Sequence, residues 1–130
     1  MPAKNKPTGK LVLQTLAMPA NTNANGDIFG GWLVSQLDLG AGILAKHIAQ
    51  SRTVTVAIDS LVFKQPVHVG DIVSCYAKLL KLGNTSITIH MEAWSMAVEE
   101  EKANFVTKGI FTFVAVNKAG KPWAADPKKR

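Results

Sequence analysis

The period of apolar positions changes twice along the chain. Residues 11–17 alternate as a short strand that stops at Met18-Pro19. Asn21 to Asp27 is a dense run of turn formers, which predicts a loop. Over residues 31–50, Leu33, Leu37, Ala41, Leu44 and Ile48 recur at helical spacing, and Trp32, Val34 and Ile43 widen the stripe. A helix this apolar is expected to be covered on most sides. Lys46 and His47 fall at its C-terminal end, where positive charge is favourable.

The rest reads as strand. Residues 53–58 place Val54, Val56 and Ile58 on one face, and Leu61 and Phe63 shift to the other parity. That change predicts a bulge or bend at Asp59-Ser60. Strands follow over 72–82, 85–96 and 103–116, separated by Gly83-Asn84 and by the acidic run Glu99 to Glu101. Short turns imply antiparallel neighbours, and one apolar helix offers a single large surface to cover. The expected class is therefore α+β, with a strongly curved antiparallel sheet wrapped around one long helix.

Length and composition narrow the function. At 130 residues, with 47% apolar and 18% charged positions, the chain fits one globular domain. Residues 10–122 are assigned to it, with loose basic ends over 1–9 and 123–130. The net charge of +6 sits at the two ends, whereas the body is close to neutral. That pattern argues for solvated tails and against a nucleic-acid partner, which requires a basic patch on the fold. Residues 28–45 carry a single charge, but a central Asp costs about 2.5–3.5 kcal/mol in a bilayer, so no membrane association is expected. Cys75 cannot form an intramolecular disulfide, and a reducing cytoplasmic setting is expected.

Asp38 carries the most chemical information. It stands mid-helix in an uncharged stretch, with Ser35 one turn before and Gly42 one turn after. One reading is an exposed polar stripe; the other is a general base or nucleophile in a cleft. Gly30-Gly31 opens the helix, where unobstructed N–H groups suit an oxyanion hole. An acyl group lying along the helix would meet those donors and, about 12 Å away, Asp38. Asp27 is either a second catalytic carboxylate or a brace for the loop. His47, His68 and His90 lack metal-ligand spacing, so no metal is expected. Cys75 alternates with Val73, Ala77 and Leu79 on an apolar face and reads as core.

The segment Leu16-Ala17-Met18-Pro19, then Thr22 through Leu33 and Ser35-Gln36-Leu37-Asp38, closely resembles the bacterial YciA-type acyl-CoA thioesterases of the hotdog superfamily. The likeness extends through Val54-Thr55-Val56, Phe63, Pro66-Val67, Val69-Gly70-Asp71 and Phe113 to Val116, covering residues 10–122. It implies a hotdog fold, dimers that join their sheets, trimers of those dimers, and active sites between subunits. It implies hydrolysis of acyl-CoA to free CoA and a carboxylic acid, with no cofactor beyond the CoA of the substrate. The family's helix acid falls on Asp38 and its oxyanion donor on Gly30-Gly31. Related two-domain thioesterases often carry Asn where this chain has Asp27.

On that basis Asn23 and Asn25 are expected to shape the loop and help hold the acyl end. Arg52, Thr55, Lys64 and Lys81, with Asn84 and Thr85 at the adjoining turn, are expected to contact CoA. The alternative is a non-catalytic acyl-CoA sensor or adaptor of the same fold. A hotdog dehydratase needs a catalytic His in the loop or helix, and His47 sits at the wrong end.

Overall fold

The computed structural model describes residues 5–130; residues 1–4, and with them Lys4 of the basic N-terminal end, lie outside the described residues. Strand β1 (Lys10–Leu16) is followed by the long helix α1 (Gly30–Ala49), then by β2 (Arg52–Asp59), β3 (Ile72–Leu82), β4 (Ser86–Met96) and β5 (Asn104–Val116). The five strands form one sheet in the order β1-β3-β4-β5-β2, with every pairing antiparallel. This is the hotdog arrangement, and α1 packs against it.

Burial follows the helical period. Leu33, Leu37, Gly40, Ala41, Leu44, Ala45 and Ala49 form the covered face of α1. They share one apolar cluster with Val73, Cys75 and Ala77 of β3, Ile87, Ile89, Met91 and Ala93 of β4, and Phe111, Phe113 and Ala115 of β5. Gly40 lets the helix come close to the sheet, because a Cβ there would stand 3.0 Å from Val12 Cγ2 and 3.3 Å from Met91 Cε. The opposite side is not covered as expected: Leu39 and Ile43 are more than half exposed. In a single chain one face of the helix is enough to close the core.

Strand β2 departs from expectation in two ways. Its register shift falls between Thr55 and Ala57, earlier than Asp59-Ser60. The strand ends at Asp59, and Ser60 takes a left-handed φ of 64° that turns the chain away. Residues 61–64 still follow β5, through Lys64 N–H donating to the Val106 carbonyl and Thr107 Oγ1 donating to that of Val62. The second departure is that β2 is an edge strand, paired only with β5, and its Val54, Val56 and Ile58 are exposed.

The segment from residue 123, expected to be loose, is packed instead. Trp123 lies against the core and donates from Nε1 to Ser51 Oγ, and Ala125 is fully buried. Arg130 stacks 4.1 Å over the Trp123 ring and donates to the Ala49 carbonyl at the end of α1. A guanidinium there satisfies an orphan carbonyl and meets the negative end of the helix dipole. Composition alone cannot signal this, because Lys and Pro bracket the few residues that dock.

The outer sheet face also holds a buried carboxylate. Glu92 is 1% exposed. It accepts hydrogen bonds from Trp94 Nε1 and from the Thr8 backbone N–H, and lies 2.7 Å from His90 Nε2. His90 thus belongs to a buried polar cluster on the sheet.

Two measurements test this packing. Leu37→Ala should cost about 2–5 kcal/mol of stability in urea unfolding, because Leu37 is fully buried. Burial pushes the Cys75 thiol up to about 12. Only about one thiol in ten thousand is then ionised at about pH 8. Cys75 should resist iodoacetamide in the native protein and react promptly once urea unfolds it.

Candidate active site

The loop before α1 is folded onto itself. Asn23 Oδ1 accepts the backbone N–H groups of Asn25 and Asp27, and Asn23 N–H donates to the Asp27 carbonyl at 2.7 Å. Gly26 completes the turn at φ 84°. Ile28 N–H donates to Val67 and Phe29 N–H to Asn21, which anchors the entrance to the helix. Asn23 therefore braces the loop, while Asn25 stays exposed. Asp27 Oδ1 lies 3.5 Å from His68 Nδ1 at the outer edge of the loop.

At the start of α1, Trp32 and Leu33 donate to the Phe29 carbonyl. The N–H groups of Gly30 and Gly31 have no acceptor among the described residues. They are the orphan donors every helix N-terminus leaves, with the positive end of the dipole behind them. The Phe63 ring stands over Gly30 and the Phe29 ring over Gly31.

Asp38 lies one residue past fully buried Leu37, so a 100° step moves it off the core stripe to the margin beside β2. There Thr55 Oγ1 donates to Asp38 Oδ1 at 2.8 Å. Oδ2 has no donor among the described residues. The carboxylate borders an open groove of about 540 Å³ between α1 and β2, lined also by Leu39, Gly42, Ile43, Lys46, Arg52, Val54 and Phe113. Gly42 keeps the floor low; a Cβ there would touch the Phe113 ring at 3.8 Å.

The expected site residues separate into groups. Asp38, Thr55 and Arg52 meet in the groove, whose lining includes neither Gly30 nor Gly31. Within one chain, carboxylate and donors lie about 12 Å apart along α1, too far for both to reach one carbonyl. Lys64 and Lys81 are exposed elsewhere. The turn residues Asn84 and Thr85 offer their carbonyls to Ala125 and Ala115, tying down the C-terminal segment and β5.

A second cavity of about 310 Å³ is bordered by His68, Asp71, Ser95, Glu100 and Asn104. Its carboxylates are already engaged. Asp71 accepts from the His68 backbone N–H. Asn104, and then the Ala97 N–H, hold the Glu100 carboxyl below its ordinary range.

Sequence reasoning missed the roles of Lys46, Leu39, Ile43 and Phe113 in the groove. Lys46 carried a usable signal, since Asp38, Gly42 and Lys46 are spaced by four and share one helical line.

Comparison with known proteins identifies the family. Residues 25–101 match the thioesterase superfamily. The chain is 54% identical over 121 residues to the acyl-CoA thioester hydrolase YciA of Salmonella typhimurium, covering 91% of each protein. It superposes on a hexameric thioesterase from Yersinia pestis with a TM-score of 0.88 and 56% identity, covering 92% of this chain and 97% of that one. A hexameric hotdog-fold thioesterase of Campylobacter jejuni gives 0.83 and 40%, covering 93% and 95%. A likeness this high along most of the chain means that the protein belongs to the thioesterase superfamily, among the hotdog-fold acyl-CoA thioester hydrolases of YciA type.

Proposed function

We propose that the protein hydrolyses acyl-CoA thioesters to free CoA and a carboxylic acid, with Asp38 as general base or nucleophile. The observation that carries this reading is the Asp38 carboxylate itself. It is held at Oδ1 by Thr55 and free at Oδ2, on the border of an open groove. As a base it takes a proton from water while the water oxygen bonds to the thioester carbon. The C–S bond then breaks, the proton passes to the CoA sulfur, and the acid leaves. As a nucleophile, Asp38 forms the new C–O bond as the C–S bond breaks and CoA leaves as the thiolate. Water then cleaves the resulting anhydride, giving the carboxylic acid, the restored Asp38 carboxylate and a proton for the CoA sulfur. A thiolate leaves readily, so no strong separate acid is needed.

The developing oxyanion requires donors about 3 Å away, and the unpaired N–H groups of Gly30 and Gly31 suit it. Because those of the same chain are too distant, the donors come from a second copy. The free, apolar edge of β2 supports the same reading. An edge strand with one open side and carrying Val54, Val56 and Ile58 is a template for sheet-to-sheet pairing. The assembly is then a dimer with shared sites, and three such dimers form a hexamer like those of the structural neighbours. Asn25 lies on the rim of the loop and Asp27 braces it, so neither is given the reaction. Exposed Lys64 and Lys81 are the cations offered to the CoA phosphates.

Two experiments test this reading. Asp38→Asn should lower CoA release by about 10²–10⁴-fold in a folded protein, and Thr55→Val by roughly tenfold. Undiminished turnover in Asp38→Asn overturns the mechanism, and tight CoA binding without any hydrolysis supports the sensor alternative. Gly30→Pro removes one donor at a position where proline is tolerated. Co-expressed Asp38→Asn and Gly30→Pro chains should recover activity that each lacks alone, because one site of a mixed dimer is intact. No recovery would place both groups in one chain.

A further inference from the structure

The second cavity shares no lining residue with the groove, and its internal hydrogen bonds leave several acceptors over. Asp71 is 8% exposed; it gives Oδ2 to the His68 N–H and has no donor at Oδ1 among the described residues. Asn104 spends its amide nitrogen on Glu100 and keeps Oδ1 without a donor. Ser95 pairs with Asn104 across β4 and β5, which turns both side chains to one face of the sheet. Ser95 is 2% exposed, and its hydroxyl has no hydrogen-bond partner among the described residues. Every fully enclosed side-chain polar atom among those residues has one, so this hydroxyl opens into the cavity that Ser95 lines. No lysine or arginine lines the cavity, and neither carboxylate has an ion-pair partner among the described residues. His68, the other titratable group on the wall, lies beside Asp27 instead.

We infer that this cavity is a recognition site for an ammonium group. An ammonium brings hydrogen-bond donors and no acceptor, which matches a lining of two carboxylates, an amide oxygen and an unpaired hydroxyl. Gln65, without a side-chain hydrogen bond on the same wall, adds a further amide oxygen. A carboxylate as enclosed as Asp71 gains most from such a cation, because burial removes hydration that one backbone N–H only partly replaces. The same two carboxylates repel an anion. A metal ion fits less well. Among the described residues no three His, Cys, Asp or Glu side chains are gathered as ligands, and a cavity of about 310 Å³ exceeds what a bare ion needs. The ammonium belongs either to a small free amine or to a lysine of a second copy of this chain.

The test titrates the intact protein with putrescine, a short diamine, and follows binding by calorimetry and thermal unfolding. Saturable binding is expected, with a rise in Tm and a weaker affinity in added salt. Ser95→Ala should weaken binding about two- to tenfold, and Asp71→Asn about ten- to a hundredfold, as for neutral and charged hydrogen bonds. Asparagine keeps an acceptor for the His68 N–H. Should Asp71→Asn still fail to fold, Ser95→Ala and Glu100→Gln decide the question. The uncharged diol of the same length should not bind. Light scattering separates the two sources. Putrescine bound with no change of particle size points to a free amine. A parent protein that binds no putrescine, but whose Ser95→Ala/Asp71→Asn double variant forms a smaller particle, already holds a neighbour's lysine in the cavity. Absence of both effects overturns the inference. So does equal binding of the diol, a putrescine affinity unmoved by the substitutions, or Mg²⁺ bound in place of the diamine.

Discussion

Burial of one stripe of α1 fixes how the helix is rotated, and the placement of every group in the groove depends on that rotation. Leu33, Leu37, Ala41, Leu44 and Ala45 are buried against a sheet that curves around them. With the stripe pinned, Asp38 has one position open to it, a step off the core and level with Thr55. A carboxylate rotated inward would lose its hydration without a cation to replace it, at a cost of several kcal/mol. Rotated outward, it would lose the groove. The margin is where a charge can be both solvated and confined.

The same geometry separates the charges that chemistry requires. Along α1 the order is orphan N–H donors, then a carboxylate, then a lysine, each about two turns from the next. The donors and the carboxylate of one chain are too far apart to cooperate. Spacing on one rigid helix thus keeps the two groups of a single chain from serving the same carbonyl.

Much of this was legible in the residues. Helical spacing from Leu33 to Ile48 and alternation in β3 to β5 gave the element order, and an isolated Asp beside small residues marked the carboxylate that borders the groove. What could not be read depends on tertiary contacts. The apolar Val54, Val56 and Ile58 look like core in a linear pattern, yet they lie on an open edge. The register shift sits at Val56 because pairing with β5 decides it, not the change of parity at Ser60. The tail from Trp123 docks through one indole, one alanine and a final arginine, too few residues to leave a periodic trace. The candidate cations are hard to rank for a similar reason: lysines are common on any surface, and only the fold shows that Arg52, and not Lys64 or Lys81, borders the groove.

The sheet order has a consequence for how the molecule comes together. The groove wall β2 follows the helix directly in sequence, yet its only strand partner is β5, with Arg52 opposite Val116 and Asp59 opposite Ile110. Nearly the whole intervening chain must be ordered before that ladder can close, and such distant pairings are slow to form. The hairpins β3-β4 and β4-β5 need no such wait. A partly folded chain can therefore hold most of its sheet and still lack the groove between α1 and β2, which makes that groove the last feature to close during folding.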